Sequence, residues 1–101
     1  MKNILLVCNA GMSTSMLVQK MQAAAKEQGI EATIQAKSVT DAANEIDKAD
    51  VLLLGPQVGH QKSEMEKLAD GRIPVEVIDM RDYGTMNGKK VLAHALELIG
   101  E

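Results

Sequence analysis

Short apolar runs and amphipathic stretches alternate along the 101-residue chain. Ile4-Leu5-Leu6-Val7 and Val51-Leu52-Leu53-Leu54 are apolar at every position. A strand with one face in water would alternate, so these runs predict strands covered on both faces. Ala32–Lys37 does alternate: Ala32, Ile34 and Ala36 are separated by Thr33, Gln35 and Lys37. Val75–Ile78 follows Pro74 and is interrupted by Glu76, so it reads as a strand at a sheet edge, where proline is tolerated. Between the strands the period changes. Leu17, Val18, Met21, Ala24 and Ala25 make a helical stripe that ends at Gly29, a good helix stop. Shorter helices are expected around Thr40–Ile46, with Thr40 as N-cap, and around Ser63–Ala69. A last helix carries Val91, Leu92, Ala95, Leu98 and Ile99 on one face.

Strands and helices alternating at this spacing predict βαβ units, hence a single α/β domain over residues 1–101 with helices on both faces of a four-stranded parallel sheet. The doubly apolar strands one and three belong in the centre. Strands two and four belong at the edges. Right-handed crossovers then favour the order 2-1-3-4, with the topological switch between strands one and three. Ligands of open α/β sheets bind outside the carboxyl ends of the strands at that switch. Two loops are expected there, the one that starts at Cys8 and the one running from Gly55 to Gln61.

Composition narrows the function. The chain has one Tyr, no Trp and no Phe, so it lacks the stacking platforms of single-stranded nucleic acid binders and the aromatic faces common in sugar sites. A net charge of -3 also argues against nucleic acid. No apolar run approaches the roughly 20 residues that span a bilayer, so no membrane insertion is expected. The apolar run after Met1-Lys2-Asn3 is too short for a signal peptide. A single cysteine permits neither an internal disulfide nor a cysteine-based zinc site. The default setting is a reducing cytoplasm, with no metal and no cofactor.

That cysteine is the leading chemical candidate. Cys8 ends the first apolar run, and Asn9, Ala10, Gly11, Met12, Ser13, Thr14 and Ser15 lead into the first helix. Amides at a helix N-terminus point at such a loop and favour anions. They would stabilise a thiolate nucleophile and equally a phosphoryl group carried on its sulfur. Ordinary burial is the competing reading, because free cysteine is often a core residue. The loop is neither a Walker A sequence, since no Gly-Lys-Ser/Thr follows, nor a dinucleotide fingerprint, since Gly11 has no Gly two residues on.

The loop resembles that of low-molecular-weight protein tyrosine phosphatases, which place Cys, five residues, Arg and then Ser or Thr on a similar sheet. Cys8 matches the Cys and Ser15 the hydroxyl residue, but Thr14 stands where the Arg belongs. The fuller resemblance is to the IIB component of the bacterial sugar phosphotransferase system, of the lactose/cellobiose/chitobiose class. It rests on the segment from Ile4 to Ser15, on Leu53-Leu54-Gly55-Pro56-Gln57-Val58 and on Ile78-Asp79-Met80-Arg81-Asp82-Tyr83-Gly84. This resemblance implies a phosphatase-like phosphate loop after strand one and a phosphocysteine carrier, a protein-phosphocysteine–sugar phosphotransferase. Cys8 matches the phosphorylated cysteine and residues 9–15 the phosphate loop. Phosphate would arrive from a histidine on a IIA partner. It would leave to a sugar, such as cellobiose, chitobiose or lactose, held by a membrane IIC partner that recruits the chain from the cytoplasm. A carrier should keep its phosphate until the next partner arrives, which suits a loop lacking Arg. The alternatives are a hydrolase of the phosphatase type or a redox enzyme of the arsenate-reductase type. Thr14 opposes the first and the lack of a second cysteine the second. A non-catalytic regulatory domain is a third.

Other side chains near the expected site carry weaker expectations. Met12, His60, Arg81, Asp82 and Tyr83 are candidates for partner contact, Met12 because methionine suits a surface that fits two partners. Asp82-Tyr83 resembles the phosphatases' acid–tyrosine pair without its usual Pro. Asp79 is expected to cap a helix or bond within the loop, Met16 to pack in the core and His94 to be structural. The isolated chain is expected to be a monomer.

Overall fold

The protein is described by a computed structural model over residues 2–8 and 12–100, with the side chains of residues 12–14, 39 and 57 outside that description. Four parallel strands, β1 (Lys2–Cys8), β2 (Ala32–Ser38), β3 (Val51–Leu54) and β4 (Val75–Val77), form one sheet ordered β2-β1-β3-β4. Five α-helices connect and cover them: α1 (Met12–Glu27), α2 (Val39–Glu45), α3 (Lys62–Ala69), α4 (Met80–Gly84) and α5 (Gly88–Ile99). Short 3-10 segments, Ile46–Lys48 and Pro56–Gln61, precede β3 and α3.

The double apolarity of β1 and β3 has the predicted cause. Ile4, Leu6, Val51 and Leu53 point into one core with Leu17, Val18 and Met21 of α1 and Val91, Leu92 and Ala95 of α5. Their sequence neighbours Leu5, Val7, Leu52 and Leu54 point into a second core with Ala42 of α2 and Met65 and Ala69 of α3. Period-two alternation thus feeds two cores, one on each face of the sheet. Fully burying a side chain of this kind stabilises by about 1.5–3 kcal/mol, and all eight of these strand residues are buried. On β2 only Ile34 is fully buried. Gly29 ends the α1 segment at φ +71° as expected.

Several local expectations are corrected. Strand β1 extends its apolar run by two residues before Ile4 and one after Val7, so Cys8 is its last residue, paired in register with Ser38. The N-cap of α2 is Ser38, not Thr40: the Ser38 side chain accepts from the Asp41 amide at 3.2 Å, so the helix starts directly from the strand end. Met16 is 54% exposed, because it lies about 100° around α1 from Leu17, outside the buried stripe. His94 is likewise exposed, next to Ala93 on the solvent side of α5, and takes no part in the core.

Candidate functional site

All four strands end at one edge, and there the connecting segments begin. The Gly55 amide donates to the Val7 carbonyl at 2.9 Å, and the Ile78 amide to the Leu54 carbonyl at 2.7 Å. The parallel ladder is thereby carried one residue past β3 and β4, which holds the starts of both following segments level with Cys8 on β1. Val58, buried at the second core, anchors the Pro56–Gln61 segment from below. Helix α1, of 16 residues, starts four positions after Cys8 with its N-terminus at this edge. The first amides of a helix are suited to an anion.

Cys8 itself is a free thiol and is 5% exposed. Alternation from Ile4 and Leu6 turns its side chain to the α1 side of the sheet. Cys8 thus sits at a strand end ahead of a long helix, with its backbone held in the β1–β2 ladder opposite Ser38. Among the described residues no three His, Cys, Asp or Glu side chains gather as a metal set, and no helix is long and apolar enough to cross a membrane.

The segment after β4 starts at the same edge of the sheet. Asp79 caps α4: its Oδ1 accepts from the Arg81 amide at 2.8 Å and the Asp82 amide at 3.3 Å. The role expected of Asp79 is therefore present, and its carboxylate is engaged by backbone. Tyr83, 8% exposed, packs into the α1-side core and seats α4 on the domain. Arg81 is exposed and Asp82 half-buried. With Asp79, Met80 and Lys90 they line an open groove of about 640 Å³.

A family model for the PTS system, lactose/cellobiose-specific IIB subunit, matches residues 3–94. The chain belongs to this family. It is 52% identical to the galactose-specific EIIB component of Lactococcus lactis subsp. cremoris over 97% of the chain and 96% of that relative. It is 50% identical to the oligo-beta-mannoside-specific EIIB component of Bacillus subtilis over 98% of the chain and 97% of that relative. The solution structure of a cellobiose-specific phosphotransferase IIB component from Borrelia burgdorferi superimposes with a TM-score of 0.81 at 48% identity, covering 97% of this chain and 91% of that one. A lactose-specific IIB domain from Streptococcus pneumoniae shares the fold at a TM-score of 0.85 with 19% identity, covering 96% of each chain. The protein is thus a sugar-specific IIB component of the lactose/cellobiose type, a phosphotransferase component of the sugar system.

In this IIB chain, Asn9, Ala10 and Gly11 lie outside the described residues, as do the side chains of Met12, Ser13 and Thr14. Ser15 is exposed on the first turn of α1. His60 is exposed, and its Nε2 lies 3.2 Å from Gln61 Nε2. Three residues at this edge escaped sequence reasoning. Ser38 faces Cys8 across the β1–β2 ladder, a placement that follows only from register. Met80 is 76% exposed at the start of α4, where an apolar residue next to a strand had no helical stripe to betray it. Lys90 reaches the groove from α5 only because α4 folds back against α5.

Proposed function

We propose that residues 1–101 act as one phosphocarrier unit in which Cys8 is the phosphoryl acceptor. The Cys8 thiolate attacks the phosphorus of a IIA phosphohistidine; the S–P bond forms as the N–P bond breaks, and the imidazole leaves. In the second step a sugar hydroxyl held by IIC attacks, the O–P bond forms, and the thiolate is released. The observation that supports this is Cys8 at the carboxyl end of the central strand β1, four residues ahead of α1, in a chain of the IIB family. Residues 9–15 are proposed to hold the phosphoryl oxygens with main-chain amides and the Ser13, Thr14 and Ser15 hydroxyls, as helix N-termini hold anions. The chain would be cytoplasmic and reach the membrane through IIC.

IIA and IIC must in turn approach the same cysteine, so one docking face serves both. Met12, His60, Arg81 and Asp82, with Tyr83 seating α4 beneath, are proposed to serve it, and the exposed Met16 and Met80 extend it. Flexible thioethers suit a face that must fit two partners. The sugar is proposed to be a β-linked saccharide. Relatives near 50% identity carry the names galactose-, cellobiose- and oligo-beta-mannoside-specific, so close kinship of the IIB chain accompanies different sugars. That pattern favours a sugar pocket in IIC.

The test is incubation with phosphorylated IIA and mass mapping of the phosphate, with Cys8→Ser as blank. Phosphate on Cys8 alone is expected. Phosphate on His60 or His94 would overturn the assignment.

A further inference from the structure

Strand β2 is an edge strand of seven residues, and one side of its backbone has no strand partner. The phase of its ladder is set by the Lys2 amide, which donates to the Glu31 carbonyl at 3.3 Å with Lys2 in register with Ala32. In a parallel ladder this turns the amides and carbonyls of residues 31, 33, 35 and 37 towards β1. Those of Ala32, Ile34 and Ala36 turn outward. An outward row of this kind is a template for another strand.

The sequence of the edge is self-complementary. If a second copy of β2 approaches antiparallel about a two-fold axis at Ile34, Ile34 faces Ile34, Ala32 faces Ala36, and Thr33 faces Gln35. Glu31 then faces Lys37 at both ends. Ile34, Ala32 and Ala36 fall on the hydrogen-bonded positions of that pairing, where residues exchange both main-chain bonds. Apolar side chains meet apolar ones, polar meets polar, and opposite charges meet at the ends, where the charge pair is favourable across strands.

A side-chain contact covers the middle of this edge. Gln22, on α1, reaches over the strand, and its Nε2 donates to the Ile34 carbonyl at 3.1 Å. Ile34 is the residue on the two-fold axis, so its carbonyl is the acceptor that the central pair needs most. We infer that the β2 edge is a latent pairing surface for a second copy of this chain, and that Gln22 holds it shut by occupying the Ile34 carbonyl. The partner is a like chain because the register that satisfies the outward amides also matches every facing side chain. The carboxyl edge with Cys8 is free in such a pair, so the inference stands apart from phosphoryl transfer.

The experiment is light scattering or sedimentation of Gln22→Ala across a concentration series beside the wild type. Gln22 is an exposed helix position and alanine is a strong helix former, so the fold should persist, checked by circular dichroism. The wild type should remain at 10.9 kDa while Gln22→Ala shifts to twice that mass. The amides of Ala32, Ile34 and Ala36 should gain protection from hydrogen exchange in the variant. Adding Lys37→Glu should return Gln22→Ala to monomer by opposing Glu31, and further adding Glu31→Lys should restore the dimer. A monomeric Gln22→Ala overturns the latent surface. A dimer indifferent to Lys37→Glu overturns the register. A wild type that pairs as readily as the variant overturns the role of Gln22.

Discussion

Gly88 opens α5 where that helix crosses α1, and its replacement by alanine tests how tightly the two are locked. A Cβ there would lie 2.6 Å from the Lys20 carbonyl carbon, 2.7 Å from Lys20 Cβ and 2.7 Å from the Met21 amide nitrogen. Carbon atoms pack at about 3.5–4.0 Å, so the approach is short by about 1 Å. Two of the three obstructing atoms are α1 backbone, which no rotamer change can move. Helix α5 must therefore lift, and Val91 and Leu92 lift with it from the core they share with Leu17 and Met21. A radial gap of about 0.5–1 Å forfeits a quarter to a half of each contact's attraction. Overpacking of this kind costs about 1–3 kcal/mol. The gain from removing a glycine from the unfolded chain, about 0.4–1 kcal/mol, offsets only part. We expect a net loss of about 1–2 kcal/mol, or a Tm lower by roughly 4–16 °C for a domain of this size. Gly84→Ala is the matched control, since a Cβ there meets nothing within 4 Å and its φ is not positive. Urea unfolding followed by circular dichroism should show the Gly88→Ala midpoint falling and the Gly84→Ala midpoint unmoved or slightly raised. Equal midpoints for the two variants would refute the close-crossing argument.

Arg72 closes the end of α3: Nε donates to the Ala69 carbonyl at 3.0 Å, Nη2 to the Leu68 carbonyl at 3.2 Å, and Nη1 pairs with Asp47. Both charged groups are largely exposed, so Asp47→Ala should cost a few tenths of a kcal/mol and Arg72→Ala about 1 kcal/mol through the lost helix-end bonds; equal losses in urea would assign the effect to the ion pair instead. Wild type should turn over aryl phosphates negligibly against a Cys8→Ser blank, because a missing preorganised donor at position 14 costs roughly 10²–10³ in rate. Thr14→Arg should shorten the phosphocysteine lifetime, followed by mass spectrometry, and rapid Cys8-dependent turnover by wild type would restore the phosphatase reading. Met80→Asp should slow transfer from IIA several-fold without changing the urea midpoint, as a side chain 76% exposed contributes little to the core; unchanged transfer would remove Met80 from the docking face.

Hydrophobic periodicity alone determined the architecture. Each of β1 and β3 is apolar at every position from Ile4 to Val7 and from Val51 to Leu54, and only a strand buried on both faces requires that, so their central place and the order 2-1-3-4 followed. The place of Cys8 was equally legible, because a strand end followed by a helical stripe fixes which edge of a parallel sheet a residue occupies. Local pattern is silent about what lies across from a residue. Ser38 displaced Thr40 as the cap of α2 because β2 continues through it, which depends on the length of β1 beside it. Met16 and His94 turned to solvent because each sits about one residue's rotation from a stripe whose width is set by the neighbouring helix. Five-residue α4 was too short for periodicity to register; a capping role for Asp79 was legible, but the helix it caps and the anchor at Tyr83 became visible only once folded. The crossing at Gly88 and the reach of Gln22 to Ile34 join residues far apart in the chain. Such contacts are decided by how helices settle on the sheet, a packing outcome that no single stretch of sequence carries.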